Sequence, residues 1–331
     1  MTEKNGPTRL ASGGAGAGET ITETQAHLSS YQPGTTEWRG TISASKIAAI
    51  IGVSPWQDAH GLWLDMKGMG VERRVTEPIR RGIDDEAGIL NRFFEFGGGK
   101  GWARNGKETL FKRYDLGFPA VANLDDVGTD PDGQHWYVEV KSVRNDSEWG
   151  DPGTDQVPVH YLAQVQWGMH MTQGSAQPCQ AAVVVKRGPF IDQYDEYPVA
   201  YNPQVAETLT RRAADFYQSL PAAENPWPVT GCRQTYEAIR KQHPDIDRDT
   251  DWQIDPQLAT AYVTALGQLE KWDAEVTRCK GEILRAMGTA RRAMVDDLVI
   301  AQRQPTRGGV TLVKPRKPIT LNDLKEQKNV A

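Results

Sequence analysis

Residues 136–143 constrain the fold of this chain more than any other segment. Valines alternate there with polar residues, which is the period-two pattern of a β-strand with one buried face. The alternation puts Glu139 and Lys141 on one face of the strand and Val138 and Val140 on the other. The strand therefore carries an acid and a base together on one sheet face.

A turn-rich segment links this strand to a second acidic residue. Residues 128–133 read Gly-Thr-Asp-Pro-Asp-Gly, which predicts a hairpin-like connection that brings Asp125 alongside the strand. Two carboxylates and an ammonium on one face suit metal-assisted hydrolysis of a phosphodiester, because carboxylate oxygens hold Mg²⁺ and a lysine orients or polarises the attacking water. The alternative is an exposed strand with a surface Glu–Lys pair, which contributes little to stability.

Four sequence blocks between about residue 38 and residue 216 occur in the order of a known family. They are residues 39–45 with 50–56 and 62–63, residues 81–86 with 93–96, residues 122–125 with 139–141, and residues 161–169 with Thr172 and Gly174. In this order and spacing the chain resembles the PD-(D/E)XK nucleases of the lambda-exonuclease/YqaJ-like phage recombinase group. The resemblance implies an α/β fold, a restriction-endonuclease-like core in which helices flank a mixed central sheet.

The resemblance also implies a catalytic metal site. Asp125 and Glu139 would be the primary ligands, helped by the backbone carbonyl of Val140. Lys141 would orient the water or stabilise developing negative charge. Glu86 is the implied extra ligand, with a solvated helix carboxylate as the alternative. The implied cofactor is Mg²⁺, for which Mn²⁺ can substitute.

Two choices at this site stay open in the sequence. Gln164 has a counterpart in the family that holds the water or the scissile phosphate, but a structural amide bonded to backbone is the alternative. Since Gln164 and Gln166 face different ways on a helix, at most one of them points at the metal site. Asp126 and Asp130 compete with Asp125 for the acidic role, and Asp125 is preferred because residues 122–125 match the family's approach to this aspartate. The family usually has glycine where Asp126 stands, so the choice between Asp125 and Asp126 stays open.

Candidate DNA contacts lie in two segments of the chain. Ser43, Ser45 and Arg39 would bind a DNA phosphate at a helix N-terminus, with helix capping as the alternative for the serines. Arg81 belongs to a basic run just before Glu86 and is a further candidate for phosphate binding.

Aromatic residues give a weaker indication. Trp56 and Trp63 could stack on bases, although aromatic residues at helical spacing are more often part of the core.

Composition excludes several classes of protein. No apolar run is long enough to span a bilayer, so we expect no membrane partner. Three cysteines without CxxC spacing indicate neither a disulfide framework nor a zinc site, and they are too few for the iron–sulfur branch of the superfamily. We therefore expect a cytosolic, reducing compartment, and the resemblance implies the cytoplasm of a bacterial host cell. The net charge of −5 neither supports nor excludes DNA binding, since the distribution of charge matters more than its sum.

We predict four segments along the chain. They are a disordered leader at 1–34, the nuclease domain at 35–228, a helical extension with a short hairpin at 229–318, and a polar tail at 319–331. Within them the patterns predict a helix opened by Ser43, a helix at about 159–171, a buried strand at 181–186, and a hairpin of strands 295–301 and 310–313. A further helix is predicted at about 78–96, with an apolar side formed by Ile79, Ile83, Leu90, Phe93 and Phe94. Residues 256–287 predict one long helix, or two packed together, and we expect its apolar residues to be buried within the chain, namely Leu258, Leu266, Leu269 and Trp272.

The resemblance implies a metal-dependent exonuclease that digests one strand of linear duplex DNA, 5′ to 3′, for phage-type homologous recombination. The implied partners are double-stranded DNA ends, a single-strand annealing protein and further copies of the chain in a homo-oligomer. Two alternatives are a structure-specific or restriction-like endonuclease of the same superfamily and a catalytically silent recombination scaffold.

Overall fold

A computed structural model of the chain describes residues 19–21, 31, 35–70, 75–106, 108–190, 193–242, 244–314, 319, 321 and 324. Most of the predicted leader and tail lies outside these residues. The chain divides into two compact units, Met1–Ile246 and Asp247–Ala331. The predicted domain boundary after residue 228 stays a prediction.

The first unit contains seven helices and nine strands among its described residues. Its helices are α1 (Thr36–Arg39), α2 (Ala44–Ile50), α3 (Ala59–Met66), α4 (Glu77–Phe96), α5 (Val159–Thr172), α6 (Pro203–Ser219) and α7 (Arg233–Gln242). Its strands are β1 (Glu19–Ile21), β2 (Ile42–Ser43), β3 (Ala103–Arg104), β4 (Thr109–Arg113), β5 (Ala120–Leu124), β6 (Asp126–Thr129), β7 (His135–Ser142), β8 (Ala181–Arg187) and β9 (Tyr194–Ala200). The predicted helices at α2, α4 and α5 and the predicted strand at β8 are confirmed.

A five-stranded mixed sheet forms the centre of this unit, in the order β3-β6-β7-β8-β9. Strands β7 and β8 are parallel, and the other neighbours are antiparallel. The parallel pair arises because α5 lies between β7 and β8 in the chain, and a parallel connection needs such a crossover. A second sheet has the order β1-β4-β5-β2. The predicted mixed α/β architecture is confirmed.

Helices cover both faces of the central sheet. On one face Ile89, Leu90 and Phe93 of α4 pack against valines of β7 and β8, namely Val138, Val140, Val183 and Val185. On the other face the larger core includes Tyr137, Ala182 and Val184 together with residues of α2, α3, α5 and α6. The alternation of β7 therefore has the predicted effect, with its valines turned towards α4.

The first half of α4 departs from the sequence prediction. Its apolar side was predicted to include Ile79 and Ile83, but these residues are 50% and 65% exposed. Burial on this helix begins at Ile89, where the helix meets the valines of the sheet. Helical spacing alone identifies a face, whereas the extent of its burial depends on the length of the sheet beneath it.

The second unit contains a long helix and a small sheet. Helix α8 (Pro256–Met287) has the bounds predicted from its apolar spacing, and Asp255 caps it by accepting from the backbone N–H groups of Gln257 and Leu258. No residue of α8 is buried, so the expectation that its leucines are covered within the chain is not met among the described residues. No helix of the described segments is long and apolar enough to cross a bilayer.

The predicted hairpin is part of a three-stranded antiparallel sheet. Its strands are β10 (Arg292–Val295), β11 (Leu298–Thr306) and β12 (Gly309–Val313), with β11 in the middle. The prediction of one strand over residues 295–301 is wrong, because a two-residue turn separates β10 from β11. Asp296 in that turn has a positive φ of 47°, a conformation that aspartate tolerates better than most residues. The turn was not predicted because it contains no glycine, the residue that usually marks a two-residue hairpin turn.

Candidate active site

The hairpin formed by β6 and β7 brings Asp125 beside Glu139. Asp126 pairs with Val138 in this antiparallel register, so the next pair along the strands is Asp125 and Glu139. The backbone N–H of Val140 donates to Oδ2 of Asp125 at 2.8 Å, which fixes the direction of that carboxylate. The predicted connection between the two acidic residues is confirmed.

Glu139 belongs to a cluster with Asp125, Glu86 and Lys141, which is called the acidic cluster below. It is 1% exposed, and its Oε1 accepts hydrogen bonds from the Lys141 ammonium and from Nε2 of Gln164, the latter at 2.8 Å. The amide of Gln166 instead binds backbone groups, since it donates to the carbonyl of Ala200 and accepts from the N–H of Asn202. Of the two glutamines, Gln164 alone therefore points at the acidic cluster.

Burial and mutual repulsion raise the pKa values of the carboxyl groups in this cluster. Burial and then the negative charges of Asp125 and Glu108 raise the pKa of Glu86 to about 7. Burial and the charge of Glu139 raise the pKa of Asp125 to about 8, although Lys141 acts in the opposite direction. Burial also raises the pKa of Glu139. The single ammonium therefore does not compensate the acids around it.

Lys141 responds to the same charges. Burial acts to lower the pKa of its ammonium, but the negative charges of Glu139 and Asp125 outweigh burial and raise the pKa above its usual value. The Lys141 Nζ also lies 5.1 Å from the ring centroid of Tyr161. The side chain is therefore a fixed cation at physiological pH.

Glu108 is an acidic neighbour that was not predicted from the sequence. Strand β4 pairs with β5 so that Thr109 lies opposite Leu124, which places Glu108 opposite Asp125 at the next position. Its negative charge contributes to the raised pKa values of Asp125 and Glu86. Glu108 could be identified only from the register of β4 with β5, which no local pattern in the sequence predicts.

The donor set of the cluster fits a hard divalent cation. Asp125, Glu139 and Glu86 supply carboxylate oxygens, the ligands that Mg²⁺ prefers. Oε2 of Glu139 is buried and has no hydrogen-bond partner among the described residues, so it is available to a cation. Across the part of the chain that the structure describes, no three His, Cys, Asp or Glu side chains are arranged closely enough to hold a metal ion by themselves. Water or phosphate oxygens would have to complete the coordination, as is usual for Mg²⁺.

Asp126 has a different environment from Asp125. It is fully buried, and Nε of Arg104 donates to its Oδ2 at 2.6 Å. Its Oδ1 accepts from the backbone N–H groups of Gly106 and Val127. The side chain of Asp126 is thus occupied by partners that hold β3 and β6 together, whereas Asp125 faces the acidic cluster.

The predicted phosphate-binding residues are not joined to the cluster by any described hydrogen bond or ion pair. Ser43 precedes α2 without a side-chain cap, and its Oγ lies 3.2 Å from Oγ of Ser45. Arg39 is exposed at the end of α1. Arg81 donates through Nε to Asp85 at 3.1 Å. The role of all four residues in binding phosphate stays a prediction.

A second charged cluster at the end of β7 was missed in the sequence. Asp85 accepts hydrogen bonds from Arg81, from Arg187 at the end of β8, and from Oγ of Ser142 at 2.7 Å. Ser142 follows Lys141 directly in β7, so its side chain points to the opposite face of the sheet from Lys141. Arg187 could not be identified beforehand, because its proximity follows from the parallel pairing of β7 and β8.

The raised pKa values predict that the metal-free protein loses stability as pH rises. Asp125 and Glu86 keep their protons to about pH 8 and 7 in the folded state, while the unfolded chain releases them near pH 4. The folded state therefore binds more protons between these limits, so the free energy of unfolding falls with rising pH, by up to about 1.4 kcal/mol per pH unit for each group.

Denaturant unfolding in excess chelator at pH 5, 6, 7 and 8 measures this slope. The double variant Asp125→Asn with Glu86→Gln removes both titrating groups and is expected to flatten it. An equal slope in the wild-type protein and the variant would show that these carboxyl groups titrate normally in the folded state.

The segment that contains the cluster is similar to a known protein domain. Residues 36–175 match the YqaJ-like viral recombinase domain, and this segment includes Glu86, Asp125, Glu139, Lys141 and Gln164. No curated protein sequence matches the chain significantly.

Three solved structures are similar to part of the chain. The alkaline exonuclease LHK-Exo from Laribacter hongkongensis is 14% identical over 62% of this chain and 94% of its own, with a TM-score of 0.40. The same enzyme in complex with dAMP is 14% identical over 63% of this chain and 96% of its own, with a TM-score of 0.42. SSO0001 is 16% identical over 59% of this chain and 81% of its own, with a TM-score of 0.37.

At these TM-scores the structural similarity is too low to support an inference, so only the sequence match to residues 36–175 is informative. That match spans the strands and helices that carry the acidic cluster. Over residues 36–175 the chain is therefore similar to the YqaJ-like viral recombinase domain.

Proposed function

We propose that this protein is a metal-dependent deoxyribonuclease that digests one strand of linear duplex DNA from its end during phage-type recombination. The observation that supports it most is the environment of Glu139. This buried carboxylate is held through one oxygen by Lys141 and Gln164, while its other oxygen has no hydrogen-bond partner among the described residues. Such a carboxylate, with Asp125 at the adjacent register position, suits a site that holds Mg²⁺.

The residues of the cluster have distinct roles in this proposal. A bound Mg²⁺ supplies a Lewis acid that polarises the phosphoryl oxygen and acidifies a water molecule. Asp125 and Glu139 hold it, with Glu86 as the further ligand, and the N–H of Val140 orients Asp125. Lys141 stabilises the negative charge that develops on the phosphate as water adds and the leaving oxygen departs.

Gln164 acts on the same carboxylate from helix α5. Its amide nitrogen donates to Oε1 of Glu139, so it helps to fix the orientation of the carboxylate, whose Oε2 has no hydrogen-bond partner among the described residues. In this role Gln164 is a positioning residue.

A catalytically silent scaffold accounts poorly for this arrangement. Burying several acids together destabilises the folded state, and the raised pKa values of Asp125 and Glu86 are the measure of that cost. A protein that only recruits partners gains nothing from it. Groups of buried acids with strongly raised pKa values are typical of functional sites.

A comparison of linear and covalently closed circular DNA of the same sequence tests the proposal. With Mg²⁺ we expect the linear duplex to be degraded and the closed circle to stay intact. Nicking of the circle would instead identify an endonuclease, and the absence of any cleavage of either form would identify a silent scaffold. An end label on the 5′ or the 3′ terminus reports polarity, since 5′ to 3′ digestion releases the 5′ label first.

Digestion in that direction leaves a 3′-terminated single strand. The class of partner that this product fits is a single-strand annealing protein, and the proposed setting is the cytoplasm of a bacterial host.

A further inference from the structure

The two tryptophans that the sequence offered as base-stacking candidates have opposite environments. Trp63 is 1% exposed, and its indole N–H donates to the backbone carbonyl of Ser219 at 3.1 Å, so it belongs to the core. Trp56 is 53% exposed. Half of a large aromatic surface is therefore left in water in the loop between α2 and α3.

Aromatic contacts connect Trp56 with the acidic cluster. Its ring centroid lies 4.9 Å from that of His160, with the rings edge to face, and 6.1 Å from that of Tyr161. The Tyr161 ring lies in turn 5.1 Å from Nζ of Lys141. The Trp56 ring is thus no further than about 11 Å, the sum of these distances, from the Lys141 ammonium. That separation corresponds to about three nucleotide steps of 3.4 Å each along a DNA strand.

The residues behind Trp56 hold its ring in place. His160 is 8% exposed, and its ring centroid lies 4.1 Å from that of Tyr161. Trp149 contacts the Tyr161 ring at 5.6 Å. The backbone N–H of Trp56 donates to Oγ of Ser54 at 3.2 Å, which ties down the loop that carries it. An exposed ring that is packed on one side and anchored through its backbone loses little conformational entropy when a flat ligand covers its other side.

We propose that Trp56 stacks on a nucleobase of the DNA end whose phosphate is held beside Lys141. The ligand is the π face of a base within the first few nucleotides of the scissile phosphate. Stacking of this kind tolerates any base, because every base has a π face, and this suits an enzyme that advances along DNA of any sequence. The inference rests on the proposed function, since it takes the acidic cluster as the place where the scissile phosphate lies.

Fluorescence of 2-aminopurine placed at each of the first three positions of a duplex end tests the stacking directly. The full-length Lys141→Ala protein binds this DNA in the presence of Mg²⁺, so that cleavage does not interfere. We expect quenching of at least one position in this background. Adding Trp56→Ala is expected to remove that quenching and to weaken DNA affinity roughly 5- to 100-fold.

Three further substitutions separate stacking from packing. Trp56→Phe is expected to restore most of the quenching, while Trp56→Leu keeps an apolar side chain and is expected not to. Trp252→Ala removes a tryptophan that is 84% exposed in the second unit and serves as the matched control, with no change expected. Equal quenching and equal affinity with and without Trp56 would overturn the proposal, as would full rescue by leucine.

Steady-state kinetics on linear DNA give an independent readout. With Lys141 intact, Trp56→Ala is expected to raise KM with little change in kcat, because stacking binds substrate and transition state alike. A fall in kcat with unchanged KM would instead indicate a structural role for Trp56. If the wild-type protein cleaves no DNA, the proposed function fails, whereas the fluorescence experiment still decides whether Trp56 stacks on a base.

Discussion

Replacing Lys141 with alanine is expected to lower kcat on linear DNA by roughly 100- to 1000-fold while DNA and Mg²⁺ binding persist. The Lys141 side chain is only 17% exposed and its ammonium is held by Glu139, so it is a preorganised positive charge. Such a group acts mainly on charge that develops in the transition state, and its loss therefore affects turnover more than binding. Rates of nucleotide release and a separate DNA-binding titration measure the two effects.

Lys186 supplies a matched control for this variant. It lies opposite Lys141 in the register of β7 and β8, it is buried, and it pairs with Asp195 at 2.8 Å. Lys186→Met removes a buried ammonium from the neighbouring strand without removing one from the acidic cluster. We expect this variant to unfold at lower temperature yet to keep kcat within a few-fold of the wild-type value.

Normal cleavage by Lys141→Ala would reduce the Glu-x-Lys pattern to a structural pair. Loss of kcat in both lysine variants would indicate that general destabilisation causes the effect. Circular dichroism of each variant before the assay shows whether the variant is folded, and so whether a loss of kcat is caused by unfolding.

The part of the site predicted from sequence is the part that depends on local pattern. The two-residue period of β7 separates Glu139 and Lys141 from the valines, and the turn at residues 130–133 fixes Asp125 beside them. Both signals lie within about 20 residues of chain. Helix spacing likewise predicted the bounds of α8.

The part that escaped prediction depends on contacts between distant segments. Glu108 reaches Asp125 through the pairing of β4 with β5, and Arg187 reaches Asp85 through the pairing of β7 with β8. Neither strand register can be predicted from a local periodicity of the sequence. The exposure of Trp56 also could not be predicted from a local pattern, because it depends on which elements pack over its loop. The spacing of Trp56 in the sequence is that of a core residue.

Removal of divalent metal is expected to lower activity by roughly a thousandfold or more, because polarisation of the phosphate and activation of water together supply several kcal/mol. The acidic cluster also has a reason to require the cation. Asp125, Glu139 and Glu86 repel one another when ionised, as their raised pKa values show, and a divalent charge relieves that repulsion. Excess EDTA is therefore expected to stop cleavage of linear DNA, and added Mg²⁺ or Mn²⁺ to restore it.

Substituting the neighbouring residues Asp125 and Asp126 separately tests which of the two side chains binds the metal. Asp125→Asn weakens the cluster's charge and is expected to raise the Mg²⁺ concentration needed for half-maximal activity at least tenfold. Asp126→Asn instead disturbs the ion pair with Arg104, so it is expected to lower stability and leave the Mg²⁺ requirement unchanged. The reverse pattern would assign the metal to Asp126. Full activity in chelator would eliminate the metal mechanism altogether, since the acidic cluster would then have no cation to hold.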